Sequence, residues 1–196
     1  MKKPIPCLPF AALSLFLLAG CGGSPSGSSS ILTPNLPAAA TTIYVVQNDD
    51  THKTSSILEF SATANGNVSP VAQLTPPSGV LFGVQALDAL GTLSVRGGTP
   101  PPAILEYAPG ATGAATPIRS ITSLSAPAVA LAVDAAGQVY AIEGQGVDVY
   151  AANATANAPP IRTITGGSTL ISYAYSLAVD SSGNIFVANG AGSCML

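Results

Sequence analysis

Three aspartates, Asp88, Asp134 and Asp180, follow one another at a constant interval of 46 residues. Each closes an apolar run and opens a short turn that ends in glycine, at Gly91, Gly137 and Gly183. A fixed period in the range of about 20–50 residues restricts a chain to a solenoid, a propeller or an array of repeats. The surrounding sequence repeats as well. Ile57-Leu58-Glu59-Phe60 matches Ile104-Leu105-Glu106-Tyr107 and Val147-Asp148-Val149-Tyr150. Pro70-Val71-Ala72-Gln73-Leu74-Thr75 matches Pro117–Thr122 and Pro160–Thr165. Each period thus holds four short apolar runs bounded by Gly, Pro, Asn and Ser, which is strand chemistry.

Four antiparallel strands in roughly 40–50 residues is the pattern of a β-propeller blade. The expected fold class is therefore all-β, with about three blades and part of another in a partial or open propeller. The expected blades span 42–75, 80–122, 126–165 and 170–190, with 191–196 as a tail. In the turns, the aspartate side chain accepts from backbone N–H groups just ahead, and the glycine supplies the positive φ. The run before each aspartate is nearly continuous, as in Ala128–Val133, and predicts an innermost strand buried on both faces. The third run alternates more, as a strand nearer the rim does.

The stretch Leu177–Asn189, Leu-Ala-Val-Asp-Ser-Ser-Gly-Asn-Ile-Phe-Val-Ala-Asn, resembles the NHL-type repeat. It also resembles the propellers of the streptogramin-lyase and gluconolactonase-like groups. The resemblance covers about Thr42–Gly190 and implies an architecture rather than an activity, since such blades serve enzymes and binding scaffolds alike. Streptogramin ring opening implies a catalytic His and metal-binding acids. The single His of the chain, His52, lies in a loop without such a constellation, so that activity does not carry over.

The N-terminal segment, 1–20, has targeting character. Lys2 and Lys3 precede a short apolar stretch, Leu8–Leu18, which reads as a signal peptide rather than a membrane span. Leu18-Ala19-Gly20-Cys21 resembles a bacterial lipobox. The resemblance implies cleavage before Cys21, a diacylglycerol thioether on its sulfur and an acylated, palmitate-type amine. Several acyl chains on one residue give stable anchoring where one gives marginal binding. The next segment, rich in Gly, Ser and Pro and ending at 41, is a flexible tether. Gly22, in place of an acid, points to the outer membrane if the host is Gram-negative.

Once Lys2 and Lys3 are lost, six cations become four against nine acids, a net charge of about −5. Only 8% of the chain is charged, against a usual ~25%. That composition carries no basic footprint for nucleic acid. No cofactor and no metal are expected. Cys7 leaves with the signal peptide and Cys21 takes lipid. Cys194 stays as a lone thiol, free or paired with another chain.

Candidate chemistry is sparse. Asp49-Asp50-Thr51-His52 is the one local group of metal-type ligands, expected to be solvated. Glu59 and Glu106 recur on the third strand, with Asp148 expected in the same place, as exposed residues. Arg119 and Arg162 recur on the fourth strand and are expected to pair with acids at the rim. Thirteen strands amount to three blades and one strand, against four to eight blades in typical rings. A truncated product is the first reading of that count; an array completed by self-association through its open blade edges is the second. The expected role is a lipid-anchored extracytoplasmic scaffold that binds a protein, glycan or small molecule at its blade loops. The alternative is a truncated lyase- or lactonase-like enzyme whose site lies outside this sequence.

Overall fold

The computed structural model describes residues 42–49, 52–98 and 101–190. The lipidation motif at Cys21, the tether and Cys194 all lie outside the described residues. Within them are thirteen strands and one short 3₁₀ turn, Gly167–Thr169. The first sheet has three strands, β1 (Thr42–Asp49), β2 (Thr54–Ser61) and β3 (Ala72–Leu74). The second has four: β4 (Phe82–Leu87), β5 (Leu93–Gly97), β6 (Ala103–Tyr107) and β7 (Arg119–Ile121). The third also has four: β8 (Ala130–Val133), β9 (Val139–Glu143), β10 (Gly146–Tyr150) and β11 (Arg162–Thr165). A last pair, β12 (Ala174–Val179) and β13 (Ile185–Asn189), completes the set. Every pairing within a sheet is antiparallel and joins strands consecutive in sequence.

The inner strands β4, β8 and β12 lie side by side, so successive sheets stack face to face. Three apolar clusters fill the gaps. Ile57 and Leu74 of the first sheet meet Phe82, Val95, Leu105 and Tyr107 of the second. Ile104 and Ile121 then meet Leu131, Val139 and Tyr150 of the third. Tyr140, Ile142 and Val147 meet Ala174 and Leu177 of the last. Period-2 alternation explains how one strand serves two clusters: along β9, Val139 and Ala141 face back while Tyr140 and Ile142 face forward. Each fully buried Ile, Leu or Val contributes about 1.5–3 kcal/mol, so stability resides in contacts between neighbouring blades.

A second joint recurs at the rim. Leu74 pairs in parallel with Gly113 of the next blade, and Ile121 pairs likewise with Ala156. Each joint is a pair of backbone bonds. Gly113 N–H donates to Gln73 O and Thr75 N–H to Gly113 O; Ala156 N–H donates to Ser120 O and Thr122 N–H to Ala156 O.

Burial along the blade differs from the expectation. In the four-stranded sheets the second and third strands are the deeply buried ones: all of β9, Ile104–Tyr107 and most of β10 are closed to solvent, whereas Ala132 and Val133 of β8 are half-buried. There a second or third strand has sheet neighbours on both edges and a packed sheet on its faces. An inner strand has a neighbour on one edge only.

Candidate functional site

The repeat turns are built alike. Asp88 Oδ1 accepts from Leu90 N–H at 2.8 Å and Thr92 N–H at 2.7 Å. Asp134 Oδ1 takes Ala136 and Gln138 N–H, both at 2.9 Å. Asp180 Oδ1 takes Ser182 N–H at 2.9 Å and Asn184 N–H at 2.8 Å. Gly91, Gly137 and Gly183 stand at φ +88, +79 and +81°, where an L side chain is strained. One oxygen thus satisfies two N–H groups that the sheet leaves over. The second oxygen of Asp134 accepts from Tyr140 Oη at 3.0 Å, and that of Asp180 from Asn184 Nδ2 at 2.8 Å. The Asn184 side chain, with the turn amides, holds Asp180 below the usual carboxylate range. These carboxylates are committed to the turns and sit one per blade, with no common centre.

The acids on the third strands are buried rather than exposed, which corrects the sequence expectation. Glu59 and Glu106 are 7% and 3% exposed. Their phase decides this. Each lies two residues after a core isoleucine, Ile57 or Ile104, and so on the same face. Opposite Glu106 stands Arg119 on β7. Its Nε donates to Glu106 Oε2 at 2.9 Å and its Nη2 reaches both oxygens at 2.5 Å. Burial pushes the Glu106 carboxyl up, and Arg119 offsets only part of that rise. Opposite Glu59 stands Ala72, and Glu59 Oε1 has no hydrogen-bond partner. Burial pushes Glu59 up. Burial also pushes the Tyr44 hydroxyl up, with the charge of Glu59 adding to it.

Asp148 is not the counterpart of Glu106, a second correction. Arg162, the repeat partner of Arg119, stands opposite Val149. Asp148 lies one position earlier, opposite Thr163, whose Oγ1 donates to it. Arg162 therefore faces no acid across the strands, and its guanidinium lies 5.9 Å from the Tyr140 ring centre. Nor does Arg119 sit at an exposed rim, since its side chain is 16% exposed.

A further buried acid escaped the sequence reading. Glu143 is 5% exposed and fully bonded: Oε1 accepts from Tyr150 Oη at 2.7 Å, and Oε2 from Ser125 N–H at 2.7 Å and its Oγ at 3.0 Å. Its signal was an acid closing the apolar run Val139–Ile142 immediately before Gly144. The bonds from Glu143 and the burial together raise the Tyr150 hydroxyl, burial being the larger cause.

Two polar clefts open between blades. One, of about 430 Å³, lies between the first and second sheets and is lined by Gln47, Asp49, Lys53, Gln73, Thr75 and Ser78. The other, of about 480 Å³, lies between the second and third, over Ser94, Glu106, Arg119, Asn153 and Thr155. The first holds Asp49 and Lys53, the second Asp88 and Glu106 with Arg119, and both add several hydroxyl or amide groups, which suits a polar ligand. His52 borders the first blade, exposed, with Nδ1 at 2.6 Å from Asp49 Oδ2. Among the described residues no three His, Cys, Asp or Glu side chains converge as a metal site. Asp50 and Thr51, the rest of that loop group, lie outside the described residues.

No family model matches the chain, and no curated protein matches it. Among solved structures it is similar to the crystal structure of the major Malassezia sympodialis allergen Mala s 1. The identity is 14% and the TM-score 0.56, over 76% of this chain and 53% of that one. The fold is that of a β-propeller. This chain spans about half the length of that neighbour, and its four stacked sheets form a partial, unclosed propeller.

Proposed function

We propose that the protein is a lipid-anchored binding scaffold on the extracytoplasmic face of the cell envelope. The anchor reading rests on Leu18-Ala19-Gly20-Cys21 behind a short apolar segment, with a Gly/Ser/Pro tether directly after it. The scaffold reading rests on one observation: the three turn carboxylates and the buried Glu106 and Glu143 are consumed by structure, and buried Glu59 stands opposite Ala72 with no second acid across the strands. Asp88, Asp134 and Asp180 cap turns, Glu106 holds Arg119, and Glu143 holds Tyr150 and Ser125. What remains for a ligand is the clefts between blades, with hydroxyls, amides and few charges. A protein loop, glycan or small polar molecule fits that chemistry; nucleic acid, which demands a basic surface, does not. The repeat's likeness to NHL-type and streptogramin-lyase-like blades supports the same architecture.

Metabolic labelling with a fatty-acid probe, followed by envelope fractionation, tests the anchor. The wild-type chain should carry label and sediment with membranes; Cys21→Ala should lose both properties. A Cys21→Ala protein that stays labelled and membrane-bound sinks the anchor. For the scaffold, a glycan and peptide panel should produce a ligand whose affinity falls at least tenfold on Asn153→Ala. Binding indifferent to both clefts overturns their assignment.

A further inference from the structure

Both outer faces of the stack are built as buried faces and stand open among the described residues. In the second blade, Leu93 and Tyr107 pair across β5 and β6 and face back onto the first blade. In the third, Val139 and Tyr150 hold the same register position and face back onto the second. All four are nearly closed to solvent. The first blade has the same pair, Ile43 and Phe60, in the same register on β1 and β2. Among the described residues they are only partly covered: Ile43 is 46% exposed and its neighbour Val45 43%, with Phe60 half-buried. The opposite end of the stack mirrors this. Tyr140 of the third blade faces forward and is 2% exposed beneath the last pair of strands. Its repeat counterpart is Phe186 on β13, paired with Ala178 as Tyr140 is with Ala132. Phe186 is 58% exposed.

We propose that a second copy of this chain covers these faces, the Phe186 face of one copy packing on the Ile43–Val45 face of the other. Three times within the chain a forward face packs on a backward face, and the two open faces are one of each kind. The contact between copies continues that internal series. One face presents Ile43, Val45 and Phe60, the other Ala178, Phe186 and Ala188. Burial of exposed aromatic and branched side chains supplies the driving force. A head-to-tail contact either closes into a ring or grows into a filament. Closure at two copies agrees with the propeller neighbour, of which one copy spans 53%. The two stacks then meet twice around one axis, and no sheet face stays in water.

The test is photo-crosslinking in native membranes. Two copies of the full chain, each with its own epitope tag, are expressed together. One carries p-benzoylphenylalanine in place of Phe186. The expected product has twice the chain mass, bears both tags and maps to residues 42–61 of the other copy. Val45→Asp in that acceptor copy should lower its yield at least tenfold, and adding Phe186→Lys in a parallel disulfide-free sedimentation assay should restore association. Leu90→Asp, at an exposed position in the turn of the second blade, should leave the yield unchanged. A crosslink within one chain, a crosslink to a different protein, no crosslink, or a yield indifferent to Val45→Asp overturns the proposal.

Discussion

Glu59 on β2 stands directly opposite Ala72 on β3, at the register position where Glu106 stands opposite Arg119 one blade later. The third blade has the converse, with Arg162 opposite Val149. One cross-strand position therefore appears with an acid alone, with an ion pair and with a cation alone. Ala72→Arg should complete the first. Burial raises the folded-state value of Glu59 above 4.5, so the native state holds that proton more tightly than the unfolded one. Its burden is absent in acid and grows as pH rises through the folded value. A guanidinium opposite favours the carboxylate and removes the burden. We expect Ala72→Arg to stabilise by about 1 kcal/mol at pH 7, roughly 2–4 °C in Tm. The gain should fade as the solution is acidified through the carboxylate range. Thermal melts at pH 7 and pH 3.5 check this; an equal gain at both would mean that charge is not the cause.

Arg119 is the opposite experiment, already in place. Both partners of its pair are largely buried, the side chains being 16% and 4% exposed. Removing one partner leaves a charge without compensation, whereas removing both leaves no buried charge. Arg119→Met should cost about 3 kcal/mol at neutral pH. The double variant Glu106→Gln/Arg119→Met should recover more than half of that. Urea unfolding of the four proteins completes the cycle, and a double variant no better than the single would place the loss in packing.

These two positions also show what the sequence disclosed and what it withheld. The period of Asp88, Asp134 and Asp180 was enough for strands, turns and the propeller class, because turn chemistry and apolar runs are local. The burial of Glu59 was legible too, from its phase with Ile57, but charge suggested an exposed site instead. The register of Asp148 was misread by one residue. Aligning Tyr150 with Tyr107 places Val149, not Asp148, opposite the recurring arginine. Burial of whole strands was not legible, because it depends on which sheet lies against them. That is a matter of stacking and not of any one strand's pattern.

Tyr107 and Tyr150 end equivalent strands and differ in one bond. Tyr150 Oη donates to Glu143 Oε1 at 2.7 Å; Tyr107 Oη is buried without a partner. The first blade carries Phe60 at this point, which has no hydroxyl to satisfy. Tyr150→Phe should destabilise by about 1–2 kcal/mol, since it orphans a buried carboxylate oxygen. Tyr107→Phe should be neutral or gain about 1 kcal/mol, since the hydroxyl costs burial and returns no bond. Burial pushes Tyr107 up to about 12 from 10.0, so the unfolded chain ionises first and native stability falls as pH rises above 10. Tyr107→Phe should flatten that alkaline decline. Denaturant midpoints at pH 7 and pH 10.5 separate the two effects. A loss of stability in Tyr107→Phe at pH 7 would show that the hydroxyl has a partner after all.

Gly113 and Ala156 hold the same place in successive rim joints, each giving and taking one bond with the preceding blade. Both have positive φ, +63° for Gly113 and +47° for Ala156. Glycine adopts that conformation freely; alanine pays for its Cβ by about 1–2 kcal/mol. Ala156→Gly relieves the strain but gives the unfolded chain more freedom, which offsets about 0.4–1 kcal/mol. The net should be a gain of about 0.5 kcal/mol. Gly113→Ala runs the other way with a cleaner sign. A Cβ there meets nothing within 4 Å, so the whole cost is in the backbone. We expect a loss of about 1 kcal/mol. We also expect faster exchange of the Thr75 amide, which donates to Gly113 O at 2.7 Å across the joint. Hydrogen exchange at Thr75 and Thr122, read in both variants, links strain at one residue to the closure of the rim between blades. Unchanged protection at Thr75 in a destabilised Gly113→Ala would detach the joint from the turn that forms it.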